Sequence, residues 1–176
     1  MAAKDLIVDP AVCDFDRPLA TVEEIRKLNP QRFEMEQLTA IVYLNPDEKK
    51  VAGYKDVRHD EFWVRGHMPN MPLMPGVLMI EAAAQLLSWY AGRLDLTGGK
   101  VVGFGGLEEV SFRGPVIPGD RLFIACEATK VRAGRMIISR FQGVVRQTLV
   151  VDGILKGIVL PVDLPSASQV PSGEAK

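Results

Sequence analysis

Histidine is scarce in this sequence, and one of the two histidines lies in a segment suited to acid–base chemistry. His59 is flanked by charged residues, which is typical of a solvated surface position. His67 instead begins a loop with a proline at every third position, at Pro69, Pro72 and Pro75. Each proline fixes its own backbone angle and restricts the residue before it, so the loop is predicted to be rigid. A rigid loop can hold an imidazole in place as a general base.

Glu81 is an acidic residue inside an apolar run, because the other residues of 77–84 are all hydrophobic. A buried ionised carboxylate costs free energy, so we expect Glu81 to be either paired or protonated. Both states are compatible with a role as a general acid. Gln85 follows one helical turn later and is predicted to orient the Glu81 carboxyl by hydrogen bonding.

The start of the predicted helix offers a third group of possible function. The first backbone N–H groups of a helix have no partner within the helix, and they lie at the positive end of its dipole. At Gly76 and Val77 such groups can stabilise a negative oxygen that develops on a carbonyl, and Gly76 has no side chain to obstruct the approach. A base, an acid and oxyanion donors therefore all come from residues 67–85.

One strong helix is predicted to position these groups. It covers residues 75–93, is rich in Leu, Met, Ala and Gln, and has Gly76 beside its start and Gly92 near its end. Because this helix is apolar on almost all sides, it is predicted to be buried rather than to lie on the surface.

The remaining patterns predict an antiparallel sheet that encloses this helix. The fold class is therefore α+β, with one long central helix wrapped by a curved antiparallel sheet of about six strands. The strand patterns, separated by turns rich in Gly, Pro, Asn and Asp, cover residues 33–44, 49–57, 100–112, 121–131, 136–146 and 149–160.

The two ends of the sequence differ from the region between them. Residues 1–20 contain several aspartates and prolines without sustained periodicity, and we expect an extended N-terminal arm. Residues 21–164 are predicted to form a single domain, in which Thr21 and Glu24 have the spacing of a capping box before a short helix that ends near Leu28. Residues 165–176 are dominated by Pro, Ser, Gly and charged residues and are predicted to be disordered.

The composition argues against several classes of function. The 21 Lys and Arg residues are balanced by 22 Asp and Glu residues, giving a net charge of −1, which argues against a dedicated nucleic-acid binder. The most apolar run, 77–91, is too short and too polar to span a membrane. The N-terminus lacks the pattern of a secretory signal, and Cys13 and Cys126 make no disulfide framework. We therefore expect a cytoplasmic protein.

Several motifs in order resemble those of a known family. Gly-His-Met-Pro at 66–69, Pro-Gly-Val-Leu at 75–78 and Glu-Ala-Ala-Ala-Gln at 81–85 closely resemble the signature of the bacterial 3-hydroxyacyl-acyl-carrier-protein dehydratases. The likeness continues through 112–120 and covers over half of the chain. It implies the hot-dog fold and dehydration of 3-hydroxyacyl-acyl-carrier-protein to the trans-2-enoyl form in fatty acid biosynthesis. Neither a metal nor an organic cofactor is implied.

The resemblance also implies a role for each site residue. His67 would remove the proton alpha to the thioester carbonyl, and Glu81 would protonate the departing 3-hydroxyl. The amides of Gly76 and Val77 would hold the carbonyl oxygen. In this family the site lies at a homodimer interface, with His and Glu supplied by different subunits, and a trimer of dimers is the implied larger assembly.

Three departures from the family pattern accompany this resemblance, and two other functions stay open. Met68 stands where the family usually has Phe, and Val64 stands where the second of two aromatic residues, after Trp63, is usual. Residues 31–36 replace a His-Arg-Tyr-Pro-Phe segment, so the resemblance does not define the entrance of the acyl tunnel or the preferred chain length. A hot-dog thioesterase could use Glu81 to activate water, and a non-catalytic protein could retain the acyl-thioester pocket. The placement of His67 before Pro-Gly-Val-Leu favours dehydration.

Charge is unevenly distributed along the chain. Residues 111–146 contain seven basic and two acidic residues, so the rest of the sequence is acidic. One interpretation is an ordinary solvated sheet face. The other is a docking surface for the acidic carrier protein, with Arg113 as the preferred contact because it lies beside a motif shared with the family.

Overall fold

A computed structural model describes residues 6–164 as one long helix packed against a seven-stranded antiparallel sheet. The predicted α+β class is confirmed, and no helix within this range is long and apolar enough to cross a membrane. The predicted disordered tail, 165–176, lies outside the described residues. In chain order the elements are β1 (Ala20–Thr21), α1 (Val22–Ile25), β2 (Ala40–Asn45), β3 (Lys50–Asp56), α2 (Gly76–Arg93), β4 (Lys100–Phe112), β5 (Arg121–Arg132), β6 (Met136–Val145) and β7 (Thr148–Asp163).

The strands form one sheet in the order β1-β2-β3-β5-β6-β7-β4, and every neighbouring pair is antiparallel. The extra strand relative to the expected six is the two-residue β1, which pairs with β2 through Ala20 and Ile41. The prediction that a strand starts at residue 33 is wrong. Phe33 has a φ of 56°, outside the β region, and it begins a 3-10 turn, Phe33–Met35, so that β2 starts only at Ala40.

Helix α2 is buried against one face of the sheet, as its apolar composition predicted. Ala82, Ala83 and Leu86 are fully inaccessible to solvent and pack in the same cluster as Ile124 of β5 and Phe141 of β6. Burial of these side chains removes apolar surface from water and stabilises the packing of the helix on the sheet. The sheet therefore fixes the position of α2 and of the side chains that α2 buries against it.

The opposite face of the sheet is covered in part by residues 6–15, which belong to the predicted arm. Ile7 and Val8 are buried in a second apolar cluster, and the Ile7 N–H donates to Gln142 Oε1 at 2.8 Å. The Phe15 ring lies against this cluster, and the Arg121 guanidinium is 5.4 Å from its centroid. These contacts tie the N-terminal segment to the sheet.

The short helix α1 ends at Ile25, three residues before the predicted end near Leu28. The Glu24 carboxylate accepts a hydrogen bond from the Thr21 N–H at 2.8 Å, as the capping-box spacing indicated. The chain then turns, and the buried Asn29 side chain donates to the Gln85 carbonyl at 2.9 Å. This bond attaches the segment that follows α1 to the middle of α2.

A buried ion pair joins β3 to the loop that carries His67. Lys55 Nζ lies 2.8 Å from Glu61 Oε1, and the two side chains are only 6% and 8% exposed. The backbone of Val57, between them, donates to the Asp120 carbonyl at 2.9 Å. The beginning of the loop is therefore fixed to the sheet by charge as well as by backbone hydrogen bonds.

Removing one partner of this ion pair leaves a buried charge unpaired. We expect Glu61→Leu to lower the free energy of unfolding by about 3–5 kcal/mol, and Lys55→Met combined with Glu61→Leu to recover much of that loss. Urea denaturation measures both. The control is Asp60→Asn, because the Asp60 pair with Arg58 is largely exposed and is worth at most about 1 kcal/mol. Similar small losses for Glu61→Leu and Asp60→Asn would contradict this prediction.

Candidate active site

The imidazole of His67 is held by its own loop. Its Nδ1 lies 2.8 Å from the Leu73 carbonyl oxygen, and the Leu73 N–H donates to the His67 carbonyl at 2.8 Å. Because a carbonyl oxygen only accepts, Nδ1 carries the ring hydrogen in the neutral form. The lone pair of that form is then on Nε2, which is the tautomer a general base requires.

Backbone hydrogen bonds and buried side chains close the loop around His67. Met68 and Met71 exchange backbone hydrogen bonds at 3.1 and 3.0 Å, and the Met74 N–H donates to the Val116 carbonyl at 2.8 Å. Trp63 before the histidine and Met74 after it are 4% and 3% exposed. The loop between the sheet and α2 is therefore anchored on both sides of His67.

Helix α2 begins at Gly76, directly after this loop. Throughout residues 6–164, no hydrogen-bond acceptor pairs with the amides of Gly76 and Val77, as expected for the first turn of a helix. A Cβ on Gly76 would lie 2.6 Å from Phe112 Cε1, so only glycine allows the Phe112 ring to lie over the helix start. The Val77 side chain is 68% exposed.

Glu81 and Gln85 form the hydrogen bond that their spacing predicts. Gln85 Nε2 donates to Glu81 Oε1 at 2.8 Å and to the Met35 carbonyl at 2.6 Å. Gln85 Oε1 accepts from the Gln37 N–H at 2.9 Å. The Gln85 side chain is thus held from two directions, and its amide fixes the position of the Glu81 carboxyl.

The sequence did not reveal that residues 29–37 support this carboxyl. Asn29 and Gln37 are both buried: the Asn29 side chain donates to the Gln85 carbonyl, and the Gln37 backbone N–H donates to Gln85 Oε1. Two polar residues close to the apolar Leu28 and Leu38 are a weak signal by themselves. Only the folded chain shows that both are directed at one glutamine.

A cavity of about 140 Å³ lies beside Glu81, between α2 and strands β4 and β7. His67 does not line it, so a single chain does not bring the predicted base and the predicted acid into one cavity. The lining residues are Gln31, Glu81, Ala84, Leu87, Ser88, Val102, Gly103, Phe104, Leu155 and Gly157.

Arg113 lies on the surface, and its guanidinium pairs with Asp152 at 2.7 and 3.1 Å. Its part in carrier docking stays a prediction. Three other arginines of 111–146 are also ion-paired, but only Asp152 and Asp56 lie outside this segment, so most of its net positive charge remains. The further pairs are Arg121 with Asp56, Arg140 with Glu127, and Arg146 with Asp120.

Two other reactive side chains lie outside this site. Burial raises the pKa of the Cys126 thiol to about 12, so it is not a thiolate nucleophile at neutral pH. His59 is exposed, as its charged neighbours indicated. In the part of the chain that the structure describes, no group of three His, Cys, Asp or Glu residues is arranged to hold a metal ion.

One buried helix against an antiparallel sheet is the architecture of the hot-dog fold, and solved structures bear this out. The dehydratase heterocomplex ApeI:P from Xenorhabdus doucetiae superimposes with a TM-score of 0.66 at 16% identity, over 77% of this chain and 90% of that chain. The E. coli PaaI protein from the phenylacetic acid degradation operon gives a TM-score of 0.52 at 14% identity, over 67% and 80%. At these identities the likeness concerns the fold alone.

Sequence comparison is more specific. Residues 29–154 match the FabA-like domain. The 3-hydroxyacyl-[acyl-carrier-protein] dehydratase FabZ of Clostridium beijerinckii is 36% identical over 115 residues, covering 65% of this chain and 81% of that protein. FabZ of Clostridium novyi is 38% identical over 111 residues, covering 63% and 78%. The chain belongs to the FabA-like family of hot-dog dehydratases.

The bonds of Gln85 lead to a prediction about stability. Gln85→Met keeps much of the side-chain shape but leaves the buried Gln37 N–H without its acceptor, so we expect the free energy of unfolding to fall by about 1–3 kcal/mol. Urea denaturation measures the change. Gln147→Met, at an exposed position, is the matched control and should change little. Equal effects of the two substitutions would show that the Gln85 bonds are not important for stability.

Proposed function

We propose that this protein dehydrates 3-hydroxyacyl-acyl-carrier-protein to trans-2-enoyl-acyl-carrier-protein in fatty acid biosynthesis. The observation that carries the proposal is the Glu81 carboxyl, held by Gln85 at the wall of a cavity, within a FabA-like domain. The orientation of His67 supports it, because the bond to Leu73 leaves Nε2 as the basic nitrogen. The cytoplasm is the proposed location.

The proposed reaction follows from the proton that each side chain can take or give and from the negative charge that the helix amides can stabilise. His67 Nε2 takes the proton from the carbon alpha to the thioester, and the carbonyl oxygen gains negative charge facing the amides of Gly76 and Val77. Glu81 gives a proton to the 3-hydroxyl, the C3–O bond breaks, and water leaves as the C2–C3 double bond forms. Proton exchange with solvent then restores His67 and Glu81 to their starting states.

The edge strand β4 supports a dimeric catalytic unit. Within residues 6–164 this strand pairs only with β7, so no described strand covers its other edge, and the apolar side chains of Phe104, Leu107 and Phe112 are 48%, 42% and 54% exposed. Long apolar edges of this kind are normally covered by another chain. We propose that a second copy pairs here, so that each site takes His67 from one subunit and Glu81 from the other. A trimer of such dimers is the proposed larger assembly.

Substitution of the acid or the base tests the proposed chemistry. We expect His67→Ala and Glu81→Gln each to reduce the formation of the conjugated enoyl thioester at least about 100-fold, followed by its ultraviolet absorbance. Light scattering should show the same oligomer as the unaltered protein. His59→Ala is the matched control, because His59 is exposed and should leave the rate unchanged. Near-normal activity of both variants would refute the assigned roles.

The same two inactive variants test the sharing of sites between subunits. A mixed dimer of His67→Ala and Glu81→Gln chains contains one site with both groups intact, so mixing should restore part of the activity. Proven subunit exchange without any recovery argues for sites built within one chain.

The products formed by the unaltered protein distinguish the two alternative functions. Release of free acid instead of the enoyl thioester identifies a thioesterase, and binding without any product identifies a non-catalytic acyl-thioester binder.

Docking of the carrier protein gives a separate prediction. An exposed basic side chain steers an acidic partner but does not act on the acyl group, so we expect Arg113→Ala to raise KM for the carrier-bound substrate several-fold. The KM for the same acyl group on pantetheine should not change. Arg140→Ala is the control, because Arg140 is also exposed and ion-paired. Equal KM values for unaltered and Arg113→Ala proteins, measured at low salt, would remove Arg113 from the docking surface.

A further inference from the structure

A tight turn at residues 117–120 lies in the segment before β5, and the proposed reaction gives it no role. The Asp120 N–H donates to the Ile117 carbonyl at 3.0 Å, which closes a four-residue turn. Pro118 and Gly119 occupy the two central positions, and Gly119 has a φ of 94°, as in a type II turn. The sequence Pro-Gly-Asp therefore has the residue types that this turn favours.

The Asp120 carboxylate closes the same turn a second time. Its Oδ2 accepts from the Ile117 N–H at 3.0 Å, and its Oδ1 accepts from Arg146 Nη2 at 2.6 Å. The Asp120 side chain is only 5% exposed, whereas the Arg146 side chain is 77% exposed. A carboxylate at such a depth costs free energy unless it is paired, and here both oxygens have partners.

The turn is also attached to the end of β3. The Gly119 N–H donates to the Val57 carbonyl at 2.8 Å, and the Val57 N–H donates to the Asp120 carbonyl at 2.9 Å. Asp120 thus uses its N–H, its carbonyl and its carboxylate to bond Val57, Ile117 and Arg146. These bonds fix the backbone at Ile117 relative to the sheet.

Two further hydrogen bonds connect this turn to the imidazole of His67. Val116, next to Ile117, is fully inaccessible to solvent, and its carbonyl accepts from the Met74 N–H at 2.8 Å. Leu73, next to Met74, has its carbonyl oxygen 2.8 Å from His67 Nδ1. Each step crosses one peptide unit or one hydrogen bond, so a displacement of Ile117 also displaces the Leu73 carbonyl.

We propose that Asp120 is a positioning residue for His67. It acts through the turn and the loop, not on the reacting atoms. By closing the turn it fixes the Leu73 carbonyl, which in turn keeps the ring hydrogen on Nδ1 and leaves Nε2 as the basic nitrogen. The catalytic consequence rests on the proposed dehydratase function, whereas the effect on the imidazole itself does not.

Nitrogen-15 NMR of the imidazole groups tests the effect on His67 directly. The sequence has two histidines, so His59→Ala assigns both sets of signals. At about pH 8.5, roughly two units above the ordinary imidazole pKa of about 6.5, the ring is neutral, and the two nitrogen shifts identify its tautomer. We expect His67 to be in the Nδ1–H form in the unaltered protein and in a mixture of both forms in Asp120→Ala. A purely structural role would not change the tautomer.

Steady-state kinetics measures the consequence for the reaction. We expect Asp120→Ala to lower kcat about 10- to 100-fold and to leave KM within about twofold, because a misplaced base affects the transition state more than substrate binding. Asp120→Asn should recover most of kcat, because its amide oxygen still accepts from the Ile117 N–H and the exposed Arg146 can turn to solvent. Glu127→Ala is the matched control, because Glu127 also pairs with an exposed arginine but lies on β5, and it should change neither kcat nor the tautomer.

A second variant disturbs the turn while Asp120 stays in place. Gly119→Ala puts a side chain at a φ of 94°, where it strains the backbone, although its Cβ would meet only His59 Nε2, at 3.9 Å. We expect the same mixture of tautomers and a lower kcat. Circular dichroism shows which variants fold, and Gly119→Ala decides the matter if Asp120→Ala does not.

The inference requires both changes in the same folded variant. A folded Asp120→Ala protein that keeps either the single Nδ1–H form or a normal kcat overturns it, and so does Asp120→Asn if it is as impaired as Asp120→Ala. If the unaltered protein dehydrates no 3-hydroxyacyl thioester, the proposed function fails, and the tautomers alone decide the inference. A mixture that appears only when the turn is altered then supports it, whereas an unchanged single form overturns it.

Discussion

The buried amide of Gln85 is the interaction on which the site depends. It contacts Glu81 on its own helix, and it also bonds the backbone of Met35 and Gln37 in the segment before β2. A buried amide is stable only when its donors and acceptor are paired, so these bonds fix α2 and that segment relative to each other. The position of Glu81, the proposed acid, is therefore set by a residue to which the proposed reaction assigns no proton transfer.

Two polar side chains of the buried helix α2 have different surroundings, although the sequence places both in the same apolar run. At Gln85 the hydrogen-bond partners come from the segment before β2. Ser88, one turn later, lines the cavity beside Glu81. Gln85 therefore joins two parts of the fold, whereas Ser88 forms part of the wall of a cavity.

Local patterns were enough to predict α2, the strands from β4 to β7, and the contact between Glu81 and Gln85, because each depends on residues close in sequence. They failed for residues 33–39. That segment is placed by hydrogen bonds to Gln85, a partner 48 residues away from Gln37, and by the left-handed backbone of Phe33. The cavity could not be predicted either, since the residues that line it are distant in sequence and come together only when α2 packs against β4 and β7.

The bond between His67 Nδ1 and the Leu73 carbonyl has a consequence for stereochemistry. It holds the imidazole in one orientation, so in the proposed reaction a single nitrogen exchanges protons with the substrate. If the reaction runs backwards and water adds to the double bond, microscopic reversibility requires the same nitrogen to return the proton. Elimination and addition would then use one face of C2, and a hydrogen isotope introduced from solvent during hydration would occupy only one of the two prochiral positions on that carbon.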